Sequence, residues 1–354
     1  MAPGVIVAGL GSRGREWARE LRQDASFRLV GCVDVDDEAL ARASSSGVPR
    51  GSCFKDLGAA LRALECDAVV IATPAERHAH DCEAALSHGR AVMVEKPFTT
   101  RLADAVRLVR LAEQRRVPLL VAQNYRYMRA FRTARRLILE GALGRVGSVV
   151  CQYYRVPHLM TPSLAGAEHS ALWGMGVHHL DALRYVLGRN VERVAAESYT
   201  QPWGELPRGG SLRALLTFEG GARAFYSATY ESSGHEYFEG GQEFYARVVG
   251  ERATLHVFHR WLVLCERGRW PRIVRRGARA ETEERTLLRQ LSAALSSGAE
   301  PEVSGRDNLQ TMAVAEACLK SADTGAWVSP QELLKASDGF NDDEVLKTFE
   351  DDLA

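Results

Sequence analysis

The first residues with a recognisable chemical use are six near the amino terminus, Gly9-Leu10-Gly11-Ser12-Arg13-Gly14, which follow an apolar run and open a helical pattern. In a G-x-G-x-x-G turn the first glycine permits a tight bend, the second lets the backbone approach a pyrophosphate, and the third allows close helix–strand packing. The amide groups at the start of the helix then face the anion. The spacing predicts a dinucleotide-binding turn, in which Arg13 either contacts phosphate or lies on the surface.

An aspartate at the end of the next apolar run indicates which dinucleotide this is. Asp34 follows Gly14 by about twenty residues, the position from which an acid binds the adenosine ribose hydroxyls. Asp36 and Asp37 come next, and no lysine or arginine occurs before Arg42, so a 2′-phosphate would meet repulsion. The pattern therefore predicts NAD as the cofactor and makes NADP the less favoured one.

Short apolar runs alternate with helical patterns over the first third of the chain. Strands are predicted at 5–8, 28–33, 68–72, 91–94 and 118–121, and helices at 15–22, 38–43, 80–88 and 102–114. Continuously apolar strands separated by helices are typical of a parallel sheet that is covered on both faces. We therefore predict an α/β protein whose first domain, residues 1–123, is a doubly wound Rossmann sheet that binds NAD.

Beyond residue 123 the pattern changes to many short strands separated by turn residues. Strands are predicted at 147–156, 191–201, 211–218, 222–230, 243–249, 253–258 and 261–265, and helices at 177–187, 284–297 and 307–322. Hairpin signals such as Glu219-Gly220-Gly221 link the strands. We predict a second, α+β domain over 124–335 with a large, mostly antiparallel sheet, used for substrate binding and oligomerisation, and then an acidic tail over 336–354.

Composition and charge exclude several classes of partner. The 45 basic residues equal the 45 acidic ones, which gives no reason to expect nucleic acid or an anionic membrane. No apolar run approaches the length of a membrane span or of a signal-peptide core. Seven cysteines occur without a CxxC pair, which suits a reducing compartment and disfavours zinc. We predict a cytoplasmic protein without a metal ion, since HExxH is absent and His256 and His259 fall on alternating strand faces.

Three further segments each follow or contain an apolar run and end in polar residues: 67–74 (DAVVIATP) with His78, 89–97 (GRAVMVEKP) and 174–181 (GMGVHHLD). With 121–126 (VAQNYR) and 322–325 (ADTG), they resemble the glucose–fructose oxidoreductase/inositol dehydrogenase (Gfo/Idh/MocA-like) family. The resemblance extends from residue 4 to about residue 328. It implies an NAD(H)-dependent dehydrogenase that moves hydride to or from a sugar, polyol or related small polar metabolite, in a homodimer or homotetramer.

The resemblance also implies roles for residues at the ends of the predicted strands. Cofactor contacts are expected from Thr73, Pro74, His78, Glu95, Lys96 and Asn124. Lys96 would reach the reacting hydroxyl or carbonyl, where its charge stabilises a developing alkoxide. His178 would be the principal proton donor or acceptor. Pro97 limits the local backbone and so helps to aim Lys96 into the cleft.

The helix that carries His178 places two more polar residues on the same face. Asp181 and Tyr185 follow His178 at i+3 and i+7. Asp181 either orients His178 or remains with the first turn of the helix, where a carboxylate is favourable. The long predicted loop 156–173 could act as a lid, with His158 facing the ligand. The full set of predicted substrate contacts is Arg126, Tyr154, His169, Trp173 and Asp181.

One residue departs from the pattern of the family. The motif D-x-G-x-H-x-x-D has an aspartate four residues before its histidine, and here Gly174 occupies that position. Lys96 and His178 could suffice for a substrate with a C=N or C=C bond, as in an imine-type biosynthetic reductase. A neighbouring polar side chain could substitute for the aspartate, and the candidates are His169, Glu168 and His179. Alternatively the chain binds NAD and a ligand without turnover, as a sensor.

Overall fold

The computed structural model describes residues 2–157, 160–233, 242–258, 261–274 and 281–338 of the 354-residue chain. His158, His259 and residues 339–354 of the predicted acidic tail lie outside the described residues. None of the described helices has both the length and the apolar character needed to cross a membrane. All seven cysteines are described, and each is a free thiol.

The amino-terminal half is built on a six-stranded parallel sheet in the order β3-β2-β1-β4-β5-β6, which confirms the predicted Rossmann sheet. Its strands are β1 (Gly4–Ala8), β2 (Arg28–Val33), β3 (Cys53–Phe54), β4 (Ala68–Ile71), β5 (Ala91–Val94) and β6 (Leu119–Val121). Its helices are α1 (Ser12–Gln23), α2 (Asp37–Ser45), α3 (Leu57–Ala63), α4 (Ala75–Ser87) and α5 (Leu102–Arg115). Strand β3 and helix α3 were not predicted, because a strand of 2 residues and a helix of 7 show no clear periodicity.

The strand order of this sheet determines where a ligand binds. The chain winds outward from β1 in both directions, to β2 on one side and β4 on the other, so the order reverses there. Ligands of open α/β sheets bind at such a point, outside the carboxyl ends of the strands. The residues predicted for the site lie within three positions of those ends: Gly9 after β1, Asp34 after β2, Thr73 after β4, Lys96 after β5 and Asn124 after β6.

The second half is an eight-stranded sheet in the order β14-β13-β12-β11-β7-β10-β9-β8. Its strands are β7 (Val146–Arg155), β8 (Val191–Tyr199), β9 (Ser211–Phe218), β10 (Arg223–Thr229), β11 (Gln242–Gly250), β12 (Ala253–Phe258), β13 (Leu262–Glu266) and β14 (Arg272–Val274). All neighbouring strands are antiparallel except β7 and β10. The predicted mostly antiparallel sheet is therefore confirmed.

Helices α6 (Arg129–Leu139), α7 (Pro162–Ala165) and α8 (Val177–Leu187) precede or interrupt this sheet. Helix α8 has the predicted bounds. Helix α6 was not predicted, although its buried Ala130, Ala134 and Leu137 recur at the helical spacing i, i+4 and i+7. The segment predicted as a loop before α8 contains α7 and the start of a π-helical turn, Leu172–Gly176, that leads directly into α8.

The last three helices, α9 (Glu283–Ser297), α10 (Gly305–Thr324) and α11 (Pro330–Asp338), pack against both halves. Leu288 of α9 joins the core that contains β1 and Trp17, whereas Met312 of α10 joins the core between the sheet and α5. Cys318 on the same helix α10 belongs to the core of the second sheet. Residues assigned from the sequence to the second domain therefore complete the first, and α11 runs three residues into the stretch predicted as tail.

Candidate active site

The glycine turn has the shape that a pyrophosphate requires. Gly9 has φ +86°, and a Cβ there would lie 2.6 Å from the backbone of Ala72. A Cβ at Gly14 would lie 1.7 Å from the Gly9 carbonyl oxygen, so the helix approaches the strand too closely for any side chain. A Cβ at Gly11 would meet nothing within 4 Å. The start of α1 therefore has free space beside Gly11, and no side chain caps it. Its amide groups remain available to bind a phosphate.

The carboxylate of Asp34 braces this turn. One oxygen accepts a hydrogen bond from the Leu10 amide at 2.5 Å, and the other accepts from the Asp36 amide at 2.9 Å. The basic side chains of the region are paired with acids, Lys55 with Asp37 at 2.8 Å and Arg42 with Asp36 at 3.5 Å. The surroundings of Asp34 therefore favour ribose hydroxyls over a 2′-phosphate.

An ion pair between Arg13 and Glu95 connects the glycine turn to the end of β5. The Arg13 guanidinium donates to Glu95 Oε1 at 2.8 Å, and the Trp17 indole donates to the same oxygen at 2.8 Å. Arg13 also pairs with Glu16 and, at 3.3 Å, with Glu284 on α9. Burial opposes the charge of Arg13, but these carboxylates raise its pKa above the ordinary value. The Arg13 side chain is 34% exposed and holds Glu95 in place, and its contact with phosphate stays a prediction.

Lys96 joins the two halves of the molecule. Its Nζ donates to the carbonyl oxygen of Gly174 at 2.6 Å, and Gly174 lies in the π-helical turn that leads into α8. Such turns occur frequently at functional sites. Burial lowers the pKa of Lys96 to about 8; Arg13 and Arg155 act in the same direction, and Glu95 opposes them. Lys96 therefore changes its charge within a range of pH that an enzyme encounters.

His178 is held in one orientation and one tautomer. Its Nδ1 lies 3.0 Å from Gln123 Oε1, and its ring stacks on Tyr125 with centroids 4.3 Å apart. Because an amide oxygen only accepts, Nδ1 carries the hydrogen and Nε2 carries the lone pair. Burial, reinforced by the charge of Lys96, lowers the pKa of His178 well below its ordinary value. His178 is thus a neutral imidazole with Nε2 ready to accept a proton.

His78 does not line the cleft, which corrects the expectation from the sequence. Its side chain is buried, with one ring nitrogen 2.7 Å from the Pro97 carbonyl oxygen and the other 2.9 Å from the Thr73 carbonyl oxygen. The Thr73 hydroxyl donates to Asp81 at 2.8 Å, and Pro74 precedes the first residue of α4. His78 therefore connects the segments that follow β4 and β5 and fixes their relative position.

Arg126 and Asp181, both predicted to bind substrate, bind each other instead. The guanidinium donates to the two oxygens of Asp181 at 2.7 and 2.6 Å, and both side chains are buried. Thr311 on α10 donates to Asp181 at 2.8 Å, and Arg184 pairs with Asp307 at 3.0 Å. The Asp181 carboxylate is taken up by this network and does not orient His178. The pair joins α8, α10 and the segment after β6.

Of the remaining predicted substrate contacts, Trp173 lies next to the cleft, whereas His169 and Tyr154 make other contacts. His169 has φ +54°, and its Nδ1 lies 2.8 Å from the Ser198 hydroxyl, so it anchors the segment before α8 to β8. Tyr154 alternates with the buried Tyr153 and lies on the opposite, half-exposed face of β7, which corrects its assignment. Trp173 precedes Gly174 and packs against the cores of both halves, next to the cleft.

The structure adds residues to the site that the sequence analysis did not select. Gln123 and Tyr125 flank Asn124, whose buried amide oxygen has no hydrogen-bond partner among the described residues and so fits a ligand that donates. Both lie in the quoted segment 121–126, which was a usable signal. The sequence carries no such signal for Arg155 and Tyr230, because only the pairing of distant strands brings them to Lys96 and Gly174.

Comparison with known proteins identifies the family of the chain. Residues 4–123 match the model of the GFO/IDH/MocA oxidoreductase family, NAD-binding Rossmann fold, and residues 131–256 match the C-terminal domain of that family. The chain is 30% identical over 344 residues to D-apiose dehydrogenase of Paraburkholderia graminis, covering 92% of this chain and 89% of that protein. It is 26% identical over 347 residues to inositol 2-dehydrogenase 2 of Saccharopolyspora erythraea, covering 95% and 99%.

A solved structure shows the same fold. The oxidoreductase from Agrobacterium radiobacter in complex with NAD⁺, L-tartaric acid and magnesium superposes with a TM-score of 0.85 at 23% identity, covering 94% of this chain and 100% of that one. The chain belongs to the GFO/IDH/MocA oxidoreductase family. It is an NAD-binding oxidoreductase of the sugar or polyol dehydrogenase type.

Proposed function

We propose that the chain moves hydride between NAD and a hydroxyl-bearing carbon of a sugar or polyol, with Lys96 and His178 as its catalytic residues. The observation that carries this proposal is the contact of Lys96 Nζ with the Gly174 carbonyl oxygen at 2.6 Å. That contact brings the cation after β5 to the turn before α8, four residues from His178. The phosphate turn and the two catalytic side chains then open on the same edge of the parallel sheet.

His178 and Lys96 have different roles: His178 transfers the proton, and Lys96 stabilises the negative charge. When bound, NAD⁺ supplies the acceptor for the hydride. In the oxidation direction His178 Nε2 takes the proton of the substrate hydroxyl, because Gln123 reserves the hydrogen for Nδ1. The Lys96 ammonium stabilises the negative charge that develops on the same oxygen. Reduction of the carbonyl uses the same groups with the proton moving back from the imidazole.

The substrate class follows from the relatives and from the polarity of the site. D-apiose dehydrogenase and inositol 2-dehydrogenase 2 are named for a sugar and a polyol, whose several hydroxyls need several donors and acceptors. Lys96, Asn124 and Arg155 provide such groups around the cleft. We propose D-apiose and myo-inositol as the first substrates to test.

The test compares turnover with nucleotide binding. Lys96→Met and His178→Ala should lower kcat/KM with NAD⁺ by about 10²- to 10⁴-fold. Both variants should retain the NADH affinity of the wild type in a fluorescence titration, because neither side chain holds the phosphates. Lys320→Met, which removes an exposed lysine on α10, is the matched control and should behave as wild type.

Other outcomes would contradict the assignment. A Lys96→Met protein that lost NADH affinity alone, with kcat at saturating NAD⁺ as in the wild type, would reject the catalytic role of this residue. Thermal stabilisation by NADH with no turnover of sugars, polyols or imines would favour a sensor that binds NAD. Turnover of imines alone would favour a C=N reductase.

A further inference from the structure

The glycine at position 174 leaves a space that a residue distant in sequence fills. A Cβ built on Gly174 would lie 2.4 Å from the hydroxyl oxygen of Tyr230 and 3.1 Å from its Cε2. Leu164 Cδ2 would lie 2.9 Å from the same point. Gly174 has no positive φ, so the backbone conformation does not require glycine here. Position 174 is therefore a glycine because the Tyr230 side chain occupies the volume of its side chain.

The Tyr230 hydroxyl is buried, and Arg155 is its polar neighbour. Tyr230 is 1% exposed, and its hydroxyl has no partner of standard geometry among the described residues. The Arg155 guanidinium lies over its ring at 5.8 Å. Buried hydroxyls are nearly always paired, so one left open at a cleft is suited to a ligand. Lys96 binds the carbonyl of the same Gly174, so the hydroxyl and the ammonium flank one residue.

We propose that the Tyr230 hydroxyl donates a hydrogen bond to the reacting oxygen of the substrate, in place of an acidic side chain at position 174. This inference rests on the proposed function. In oxidation the proton of the substrate hydroxyl passes to His178 Nε2, while Tyr230 keeps its own proton. Lys96 and Tyr230 stabilise the alkoxide from two directions as it forms. The carbonyl forms when the carbon–hydrogen bond breaks and the hydride passes to bound NAD⁺.

The environment of Tyr230 determines that it donates and does not accept the proton. Burial raises the pKa of Tyr230 well above its ordinary value; Tyr153 and Tyr125 act in the same direction, and Arg155 opposes them. The phenol therefore stays protonated throughout the working range of pH. Such a group adds no ionisation of its own to the pH profile, whereas a carboxylate at position 174 would.

The other candidates for this role are engaged elsewhere. Glu168 is exposed, and His169 is bound to Ser198. His179 is buried with its Nδ1 2.9 Å from the Tyr226 hydroxyl. Of these residues and Tyr230, only Tyr230 reaches the volume beside Gly174.

The test removes one hydroxyl from each of two buried tyrosines. Tyr230→Phe should lower kcat by about 10²-fold with the better of D-apiose and myo-inositol as substrate. It should leave the NADH dissociation constant and the melting temperature close to wild type, because its hydroxyl makes no hydrogen bond of standard geometry within the described part of the chain. Tyr226→Phe, the matched control, breaks the hydrogen bond to His179 and should lower the melting temperature while kcat stays within about twofold of wild type.

The outcomes separate this inference from the proposed function. If the wild type turns over and Lys96→Met does not, but Tyr230→Phe is as active as wild type, the role of Tyr230 is wrong and the proposed function stands. Equal losses of kcat in Tyr230→Phe and Tyr226→Phe would show a general packing effect and overturn the inference. A wild type without turnover of any sugar or polyol would overturn the proposed function, and this inference with it.

Discussion

At the scale of single residues, the site depends on two side chains whose ordinary pKa values are moved in useful directions. Burial lowers the pKa of both Lys96 and His178, so that the imidazole is neutral while the amine still carries charge over part of the neutral range. A neutral base beside a cation is the arrangement that alcohol oxidation needs. Gln123 and Tyr125 contribute by holding the imidazole in place.

This pair predicts the pH dependence of the reaction. For oxidation, kcat/KM should fall above about pH 8 as Lys96 loses its proton. It should fall on the acid side only well below pH 6.5, the ordinary value for a histidine, where His178 becomes protonated. Lys96→Arg should retain part of the activity and lose the alkaline limb, since a guanidinium stays charged. A wild-type rate that rises through pH 8 would show that neutral Lys96 is the base.

At the scale of elements, we expect the start of α1 to bind the cofactor through amide groups that no side chain caps. Gly11 faces open space, while Gly14 touches the strand behind it. The two glycines of one motif therefore serve different purposes, one for the ligand and the other for packing. This difference can be measured because equivalent substitutions at the two positions should fail in different ways.

Gly11→Val should lower NADH affinity by at least about tenfold and leave the melting temperature close to wild type, since the new side chain fills only the space of the pyrophosphate. Gly14→Val should instead destabilise or prevent folding, because its Cβ would lie 1.7 Å from a carbonyl oxygen. Fluorescence titration and thermal melts distinguish the two. A Gly11→Val protein with unchanged NADH affinity would contradict the placement of the pyrophosphate.

The network around Asp181 is a second feature of this scale, and it holds elements together. Asp181→Ala removes the buried carboxylate that binds Arg126 twice and leaves Asp307 to pair with both Arg126 and Arg184, which should cost about 3–5 kcal/mol of unfolding free energy. Glu140→Ala breaks an exposed pair with Arg136 and should cost about 0.5 kcal/mol or less. Urea denaturation measures both. A stable Asp181→Ala protein with a raised KM would restore the predicted substrate contact.

At the scale of the whole molecule, the site exists only because the two halves and the C-terminal helices pack together. Local spacing was enough to predict Gly9, Asp34 and Lys96 at the ends of strands, since each follows its own apolar run. The bond between Arg126 and Asp181 and the meeting of Tyr230 with Gly174 join residues more than fifty positions apart. Nothing in the local pattern specifies such contacts. The sequence therefore predicted which residues lie at the ends of the strands, but wrongly assigned Arg126, Asp181 and Tyr154 to the substrate.

Exposed apolar side chains on the outer face of the large sheet indicate that the chain forms an oligomer. Leu215 on β9 and Phe225 on β10 are paired across the strands and are 49% and 36% exposed. We expect a homodimer or homotetramer that covers this face. Light scattering should give a multiple of 39.0 kDa for the wild type and for the control Leu139→Asp, but a smaller assembly for Phe225→Asp. A monomeric wild type would contradict this expectation.

The most direct test of the account is a crystal structure of the wild-type protein with NAD⁺ bound. We expect the pyrophosphate at Gly11, the adenosine ribose at Asp34, and the nicotinamide ring in contact with Lys96 and His178. A nicotinamide ring that lies away from both side chains, with the phosphates still at the glycine turn, would contradict the proposed catalysis.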